Sequence, residues 1–191
     1  MTLPNLISFS GYPLAGKDAA ADVMVTRARF VKTYMDKPLV EALLDLNPWL
    51  VDKGEGTVER FSDLYANLGE DAIKNFDEAR RLLRVLETKV GRRNGMNIWT
   101  DQVFDEVRHL LSLNKKVVIS GVQYHEDLAV VRELDGVCVW ITRPRSKAKS
   151  STIAISAQDC DLVVTNEGNI KEFYVSLTIA LEEYANNVKE N

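Results

Sequence analysis

Gly11-Tyr12-Pro13-Leu14-Ala15-Gly16-Lys17-Asp18 carries the strongest chemical signal in this chain. The stretch fits G-x-x-x-x-G-K, with an aspartate where Ser or Thr ordinarily follows the lysine. Its glycines let backbone N–H groups curl around an anion, a helix start adds positive potential, and Lys17 adds a mobile charge. Such a cradle suits the phosphates of a nucleotide. Asp18 offers a carboxylate that holds Mg²⁺ directly or through water. A carboxylate at a helix start is also stabilised by the helix dipole alone, so both readings stay open.

Other charged and aromatic residues extend the list. Arg143 opens a stretch rich in Arg, Lys and Ser that also holds Arg145. Arg80 and Arg92 bracket a helical segment, and helical rise puts them about 18 Å apart along it. They share one phosphate only if the helix ends between them, and Gly91 supplies that end. Arg80 is equally suited to a solvated pair with Asp77. Trp99 stands at helical spacing and favours a core role over base stacking. His125 and Glu126 read as a helix-start pair, and Asn166 as a turn residue before Gly168.

These residues need elements to hold them. An apolar run over Asn5 to Ser10 reads as a strand that feeds the loop, and a helix over Asp18 to Ala28 follows it. A second strand is expected over Ala28 to Tyr34. Helical spacing then dominates. Leu39, Leu43, Leu44 and Leu46 run up to Asn47-Pro48, and Val58, Phe61, Leu64, Tyr65 and Leu68 run up to Gly69. Asp77 to Val90 is expected to form one helix, and Trp99 to Leu111 another. Lys116 to Ser120, Val137 to Thr142 and Leu162 to Thr165 read as buried strands. Asp127 to Leu134 and Asn169 to Asn186 read as helices.

Alternating strands and helices imply a three-layer α/β/α P-loop NTPase fold with a mostly parallel sheet. The core is expected at 1–36 and 115–191. A helical substrate-binding insertion is expected at about 37–114, and a short basic lid at about 143–156. Ligands of such sheets gather at the carboxyl ends of the strands.

Bulk properties agree. The 191 residues suffice for one sizeable domain, and 46% hydrophobic with 27% charged residues is ordinary for a soluble protein. A net charge of −4 argues against stable nucleic-acid binding. The sequence shows neither a membrane span nor a signal pattern. Cys138 and Cys160 lack metal-ligand spacing and read as buried thiols of a reducing compartment.

Several motifs run in a familiar order. Gly16-Lys17-Asp18 comes first, then Pro38-Leu39 and Leu46-Asn47-Pro48. The run Ala79-Arg80-Arg81-Leu82-Leu83-Arg84-Val85-Leu86-Glu87-Thr88-Lys89-Val90-Gly91-Arg92 is similar to R-x-x-L-Q-x-L-G-T-E-x-G-R, and Asn97-Ile98-Trp99 follows it. Val117-Val118-Ile119, Trp140-Ile141-Thr142-Arg143-Pro144 and Asp161-Leu162-Val163-Val164-Thr165-Asn166-Glu167-Gly168 complete the order. Together they make the chain resemble the phage-type deoxynucleoside monophosphate kinases of the adenylate-kinase-like group.

That resemblance implies ATP-dependent phosphorylation of a deoxynucleoside 5′-monophosphate, with ATP and Mg²⁺ as cofactors. It implies ATP contacts at Gly11, Ala15, Gly16, Lys17, Asp18 and Ala19, with Asn166 near the adenine. Lys17 and Arg143 are the expected catalytic residues, and Asp18 is the expected metal ligand. Asp36, Arg80, Arg92, Trp99 and Arg145 are the expected substrate contacts. A cytoplasmic location (the host cytoplasm for a phage protein) follows from the same resemblance, with a homodimer left open.

The chain departs from the family at Arg84, Glu87 and Lys89, which replace Gln, Gly and Glu. Gly121 and Gln123 stand where the family has Asp and Arg, with Asp36, Glu126 and Asp127 open as replacements for the acid. Two other readings remain. One is a different P-loop small-molecule kinase, of phosphomevalonate or dephospho-coenzyme A type. The other is a nucleotide-binding protein that has lost catalysis and acts through a partner.

Overall fold

The computed structural model describes residues 3–51, 56–69, 76–91, 98–144 and 153–190. In chain order the elements are β1 (Leu6–Ser10), α1 (Lys17–Ala28), β2 (Val31–Tyr34), α2 (Lys37–Leu46), β3 (Trp49–Val51), β4 (Val58–Arg60) and α3 (Phe61–Leu68). Then come α4 (Asp77–Val85), a π-helical turn (Leu86–Gly91), α5 (Ile98–Ser112), β5 (Val117–Ser120), α6 (His125–Glu133) and β6 (Val137–Thr142). A 3₁₀ turn (Ala157–Asp159), β7 (Leu162–Thr165) and α7 (Ile170–Glu190) close the chain. Among the described residues no helix is long and apolar enough to cross a membrane.

The chain divides into two units, Met1–Met35 with Phe104–Asn191, and Asp36–Val103. The first holds a five-stranded sheet in the order β2-β5-β1-β6-β7. Every neighbouring pair is parallel. All side chains of β1, β5 and the first five of β6 are buried or nearly so, as a strand covered on both faces requires. Ile7 and Phe9 pack with Ala20, Met24, Phe173 and Leu177 on the face covered by α1 and α7. Period-2 alternation turns Leu6 to the other face, and a Cβ added at Gly136 would press on Leu6 and Val131 of α6. The expected three-layer fold is therefore the observed one.

The second unit is built from α2, α3, α4 and a small hairpin, and α5 begins within it. α2 packs against α3 and α4. Leu39, Val40, Leu43, Leu50, Phe61, Leu64, Ala79 and Leu83 are among its buried residues.

Three local features differ from the expectation. The second strand begins at Val31, because α1 runs to Ala28 and Arg29 turns left-handed (φ 59) as its cap. Val58 belongs to β4, which pairs antiparallel with β3 over Trp49↔Arg60, Leu50↔Glu59 and Val51↔Val58. Strands this short show no period in sequence. The Arg60 guanidinium lies 4.3 Å from the Trp49 ring and its Nη1 donates to the Asn47 carbonyl at 2.7 Å, which ties the hairpin to the end of α2.

The third difference is the helix from Asp77, which changes to a π turn at Leu86. Thr88 Oγ1 donates to the Arg84 carbonyl at 2.7 Å, and the Trp99 indole N–H donates to the Leu86 carbonyl at 3.2 Å. Both carbonyls thus accept bonds from side chains that compete with the regular helical pattern.

Cys138 is buried, as expected, whereas Cys160 is half-buried. Their sulfurs lie 3.1 Å apart and share a hydrogen bond.

Candidate functional site

The phosphate loop leaves the middle strand of the sheet. β1 ends at Ser10 between β5 and β6, so the loop starts at the carboxyl edge that open α/β sheets use for ligands. Gly11 takes φ 135, and a Cβ there would overlap the Ile141 carbonyl oxygen, so no other residue fits without backbone movement. The Tyr12 ring stands edge-on to Trp140, with centroids 5.3 Å apart, and fixes the loop's first turn against β6. Ala15 N–H donates to the Tyr12 carbonyl at 3.1 Å and closes that turn. Leu14 at its tip is left-handed (φ 65) and 85% exposed. Gly16 (φ 104) occupies the cap position of α1 and offers no side chain to its first N–H groups. A helix start of that kind is the ordinary partner of a phosphate.

Lys17 and Asp18 occupy the first turn of α1, both half-buried. Lys17 Nζ donates to the Gly11 carbonyl at 2.9 Å and to the Tyr12 carbonyl at 3.1 Å. Its charge therefore spans the mouth of the loop. Asp18 Oδ1 accepts a hydrogen bond from Ser120 Oγ at 3.0 Å. Asn166, just past β7, donates its side-chain amide to the Ala15 carbonyl at 2.8 Å, while its backbone N–H donates to the Thr142 carbonyl at 2.7 Å.

The structure thus brings Gly11, Ala15, Gly16, Lys17, Asp18, Ala19 and Asn166 together in the first unit. Asn166 braces the back of the loop through Ala15. Arg143 lies immediately past the end of β6 and is exposed. The chain after the basic stretch returns to the same sheet edge, where Ala154 and Ile155 donate to the Gln123 carbonyl at 2.8 and 3.3 Å. Gln123 therefore holds Ala154 and Ile155 through its backbone carbonyl. Ser156 then caps the 3₁₀ turn with Asp159, and these bonds hold the Asp159 carboxyl below the usual carboxylate range.

Of the acids left open for the missing strand residue, Glu126 is exposed and Asp127 is buried in the first turn of α6. In the second unit Asp36 is exposed at the start of α2. Arg80 is exposed and paired with Asp77. Arg81 is held by Glu78 at 2.9 and 2.7 Å, and that hydrogen-bonded pair raises its pKa further. Trp99 is half-buried, with its ring edge against Gly91. Arg92 and Arg145 lie outside the described residues.

The donor set suits a hard divalent cation, since Asp18 and Ser120 present a carboxylate and a hydroxyl to each other at the loop. Sequence reasoning missed Ser120 and the Tyr12–Trp140 pair. Neither has a local signal, because strand pairing alone brings Ser120 level with Phe9 and Trp140 level with Ser10.

No family model matches the chain, and no curated protein matches its sequence. Solved structures do. Dephospho-CoA kinase from Campylobacter jejuni superposes with a TM-score of 0.50 at 16% identity, covering 96% of this chain and 98% of that one. A sugar kinase from Janibacter sp. HTCC2649 gives 0.50 at 11% identity, covering 93% and 94%. A putative kinase from Chloroflexus aurantiacus gives 0.50 at 10% identity, covering 96% and 98%. The chain has the α/β/α fold of P-loop kinases.

Proposed function

We propose that this protein transfers the γ-phosphate of ATP to a deoxynucleoside 5′-monophosphate. The observation that supports it most is the loop at the end of β1, where Lys17 spans the mouth and Asp18 and Ser120 meet beside it. In this reading Lys17 exchanges the Gly11 and Tyr12 carbonyls for the β- and γ-phosphate oxygens. Backbone N–H groups from Gly11 to Ala19 cradle the phosphates. Asp18 would hold Mg²⁺, which when bound neutralises charge on the donor phosphates.

An acceptor phosphate oxygen attacks the γ-phosphorus, and the bond to the β–γ bridging oxygen breaks. ADP leaves with the electron pair, so no protein base is required. Arg143, backed by Arg145, offsets charge on the transferring group. Arg92 receives the acceptor's monophosphate, with Arg80 and Asp36 as further acceptor contacts. Trp99 stacks on the acceptor base, a role that leaves its N–H bond to Leu86 in place.

The likeness to dephospho-CoA kinase favours a second reading, in which the acceptor is another small molecule. A coupled ADP-release assay separates the two. It is run with the four DNA monophosphates, their ribose counterparts, dephospho-coenzyme A and phosphomevalonate. Turnover with a deoxynucleoside monophosphate supports the first reading, and turnover with only one of the last two supports the second. ATP binding without transfer to any acceptor supports a protein that has lost catalysis.

A further inference from the structure

The Cys138 and Cys160 sulfurs meet at 3.1 Å, although 22 residues of chain separate the two. Cys138 is fully buried in β6, and Cys160 is half-buried between the 3₁₀ turn and β7. The function proposed above uses neither thiol. β6 and β7 are neighbouring parallel strands, and such neighbours lie within the span that a disulfide bridges. Closing the bond asks the sulfurs to approach by only about 1 Å. We propose that the two cysteines form a thiol–disulfide exchange site, at which low-molecular-weight disulfides oxidise the folded protein to a Cys138–Cys160 bond. The site is independent of phosphate transfer and of its acceptor.

The backbone around the pair is fixed on both sides. Asp161, next to Cys160, donates its N–H to the Cys138 carbonyl at 3.0 Å and accepts the Cys138 N–H on Oδ2 at 2.8 Å. Arg132 of α6 donates to the Asp159 carbonyl at 2.6 Å, and Ser156 and Asp159 cap the turn that leads into Cys160. The sulfurs are therefore held against each other by the fold. The two thiols are also unequal. The hydrogen bond from Cys160 holds the Cys138 thiol below its ordinary value, against burial and the Asp161 carboxylate. The same bond, with burial and neighbouring negative charge, pushes Cys160 up. Cys138 thus carries the thiolate, while Cys160 is the sulfur that solvent reaches. The bond would close a ring of chain from 138 to 160 that contains the basic stretch from Arg143 to Ser156. Such a ring restricts the unfolded chain more than the folded one, so folding and oxidation favour each other.

The exchange starts from the pair in its singly ionised form. The Cys160 sulfur attacks a small disulfide R–S–S–R as its proton passes to Cys138 across the shared bond, and R–S⁻ leaves. Cys138 gives that proton to the departed thiolate, making R–SH, and becomes a thiolate again. It then attacks the Cys160 sulfur of the mixed disulfide, and the bond to the second R–S breaks. The cysteines are oxidised to one disulfide, and the small disulfide is reduced to R–SH and R–S⁻.

The rival explanation is that the two thiols pack as small apolar groups and never react. Glutathione disulfide separates the two. The wild type, Cys138→Ala and Cys160→Ala are incubated without denaturant at set ratios of glutathione disulfide to glutathione. Remaining thiols are alkylated and counted by mass, and each variant's fold is checked by thermal unfolding. The wild type should lose both thiols together, within one chain, and keep no glutathione. Cys138→Ala should hold one glutathione on Cys160, the trapped intermediate, and Cys160→Ala should keep its buried thiol. The wild-type bond should form roughly 100-fold more readily in the folded protein than in denaturant, and it should raise Tm by roughly 5–10 °C. Thiols that stay free in the folded wild type, at ratios that oxidise the denatured chain, overturn the proposal. So does glutathione retained by the wild type, a bond between two chains, or an oxidised protein of unchanged Tm. If Cys138→Ala does not fold, the wild-type thiol count and the folded-to-denatured ratio decide.

Discussion

Asn166 Nδ2 donates to the Ala15 carbonyl at 2.8 Å, joining the end of β7 to the phosphate loop across 151 residues of sequence. The resemblance puts this residue beside an adenine, and its amide here holds the loop from behind. Ala15 is fully buried, so its carbonyl has few other partners. Asn166→Ala should therefore loosen the loop, costing about 1 kcal/mol of stability for the lost bond. It should also weaken ATP binding several-fold. Calorimetry on the folded variant checks both. Unchanged ATP affinity would show that the brace has no bearing on the loop's shape.

The two loop glycines should fail differently. A Cβ at Gly11 meets the Ile141 backbone carbonyl, whereas one at Gly16 meets the end of the Asn166 side chain. Backbone yields less readily than an amide side chain. Gly11→Ala should cost about 3 kcal/mol or more, since strained φ and overlap add. That amounts to a fall of roughly 6–12 °C in Tm for a chain of this size. Gly16→Ala should be milder in Tm, but it should disturb the Ala15–Asn166 bond and nucleotide affinity. Equal thermal losses in the two variants would contradict this ranking.

Acid should act on the end of the basic stretch. Hydrogen bonds from the Ser156 side chain and backbone lower the Asp159 pKa, with smaller help from His125 and Arg132. A depressed carboxylate pKa adds stability above its unfolded value of about 4, and that stability is lost as pH falls through the lower folded value. Ser156→Ala should thus be less stable than the wild type near neutrality, with the gap closing in acid. Denaturant unfolding at about pH 7 and about pH 3 tests it. A gap that stays constant or widens in acid would sink the idea.

Much of this was legible in the sequence, for local reasons. Gly11 to Asp18 follows an apolar strand and opens a helix, a pattern contained in one short stretch. Val117-Val118-Ile119 and Val137 to Thr142 are continuous apolar runs, which strands covered on both faces produce. The hairpin of Trp49–Val51 and Val58–Arg60 was not legible, since each strand has too few residues to show alternation. The π turn was hidden because Trp99, far along the chain from Leu86, competes for its carbonyl. Ser120 was missed, and the Asn166 bond to Ala15 was not foreseen, because their partners lie more than a hundred residues away, where only strand order brings them close.

In the proposed function the loop from Gly11 to Ala19, with the Lys17 ammonium, grips the phosphates of ATP. Amide chemical-shift mapping with Mg²⁺ and a non-hydrolysable ATP analogue tests it most directly. The largest shifts should fall on residues from Gly11 to Ala19, and a folded Lys17→Ala protein should lose affinity by roughly 10- to 100-fold, in keeping with removal of a charge from a phosphate contact. Shifts confined to other parts of the molecule, or an affinity indifferent to Lys17, would contradict it.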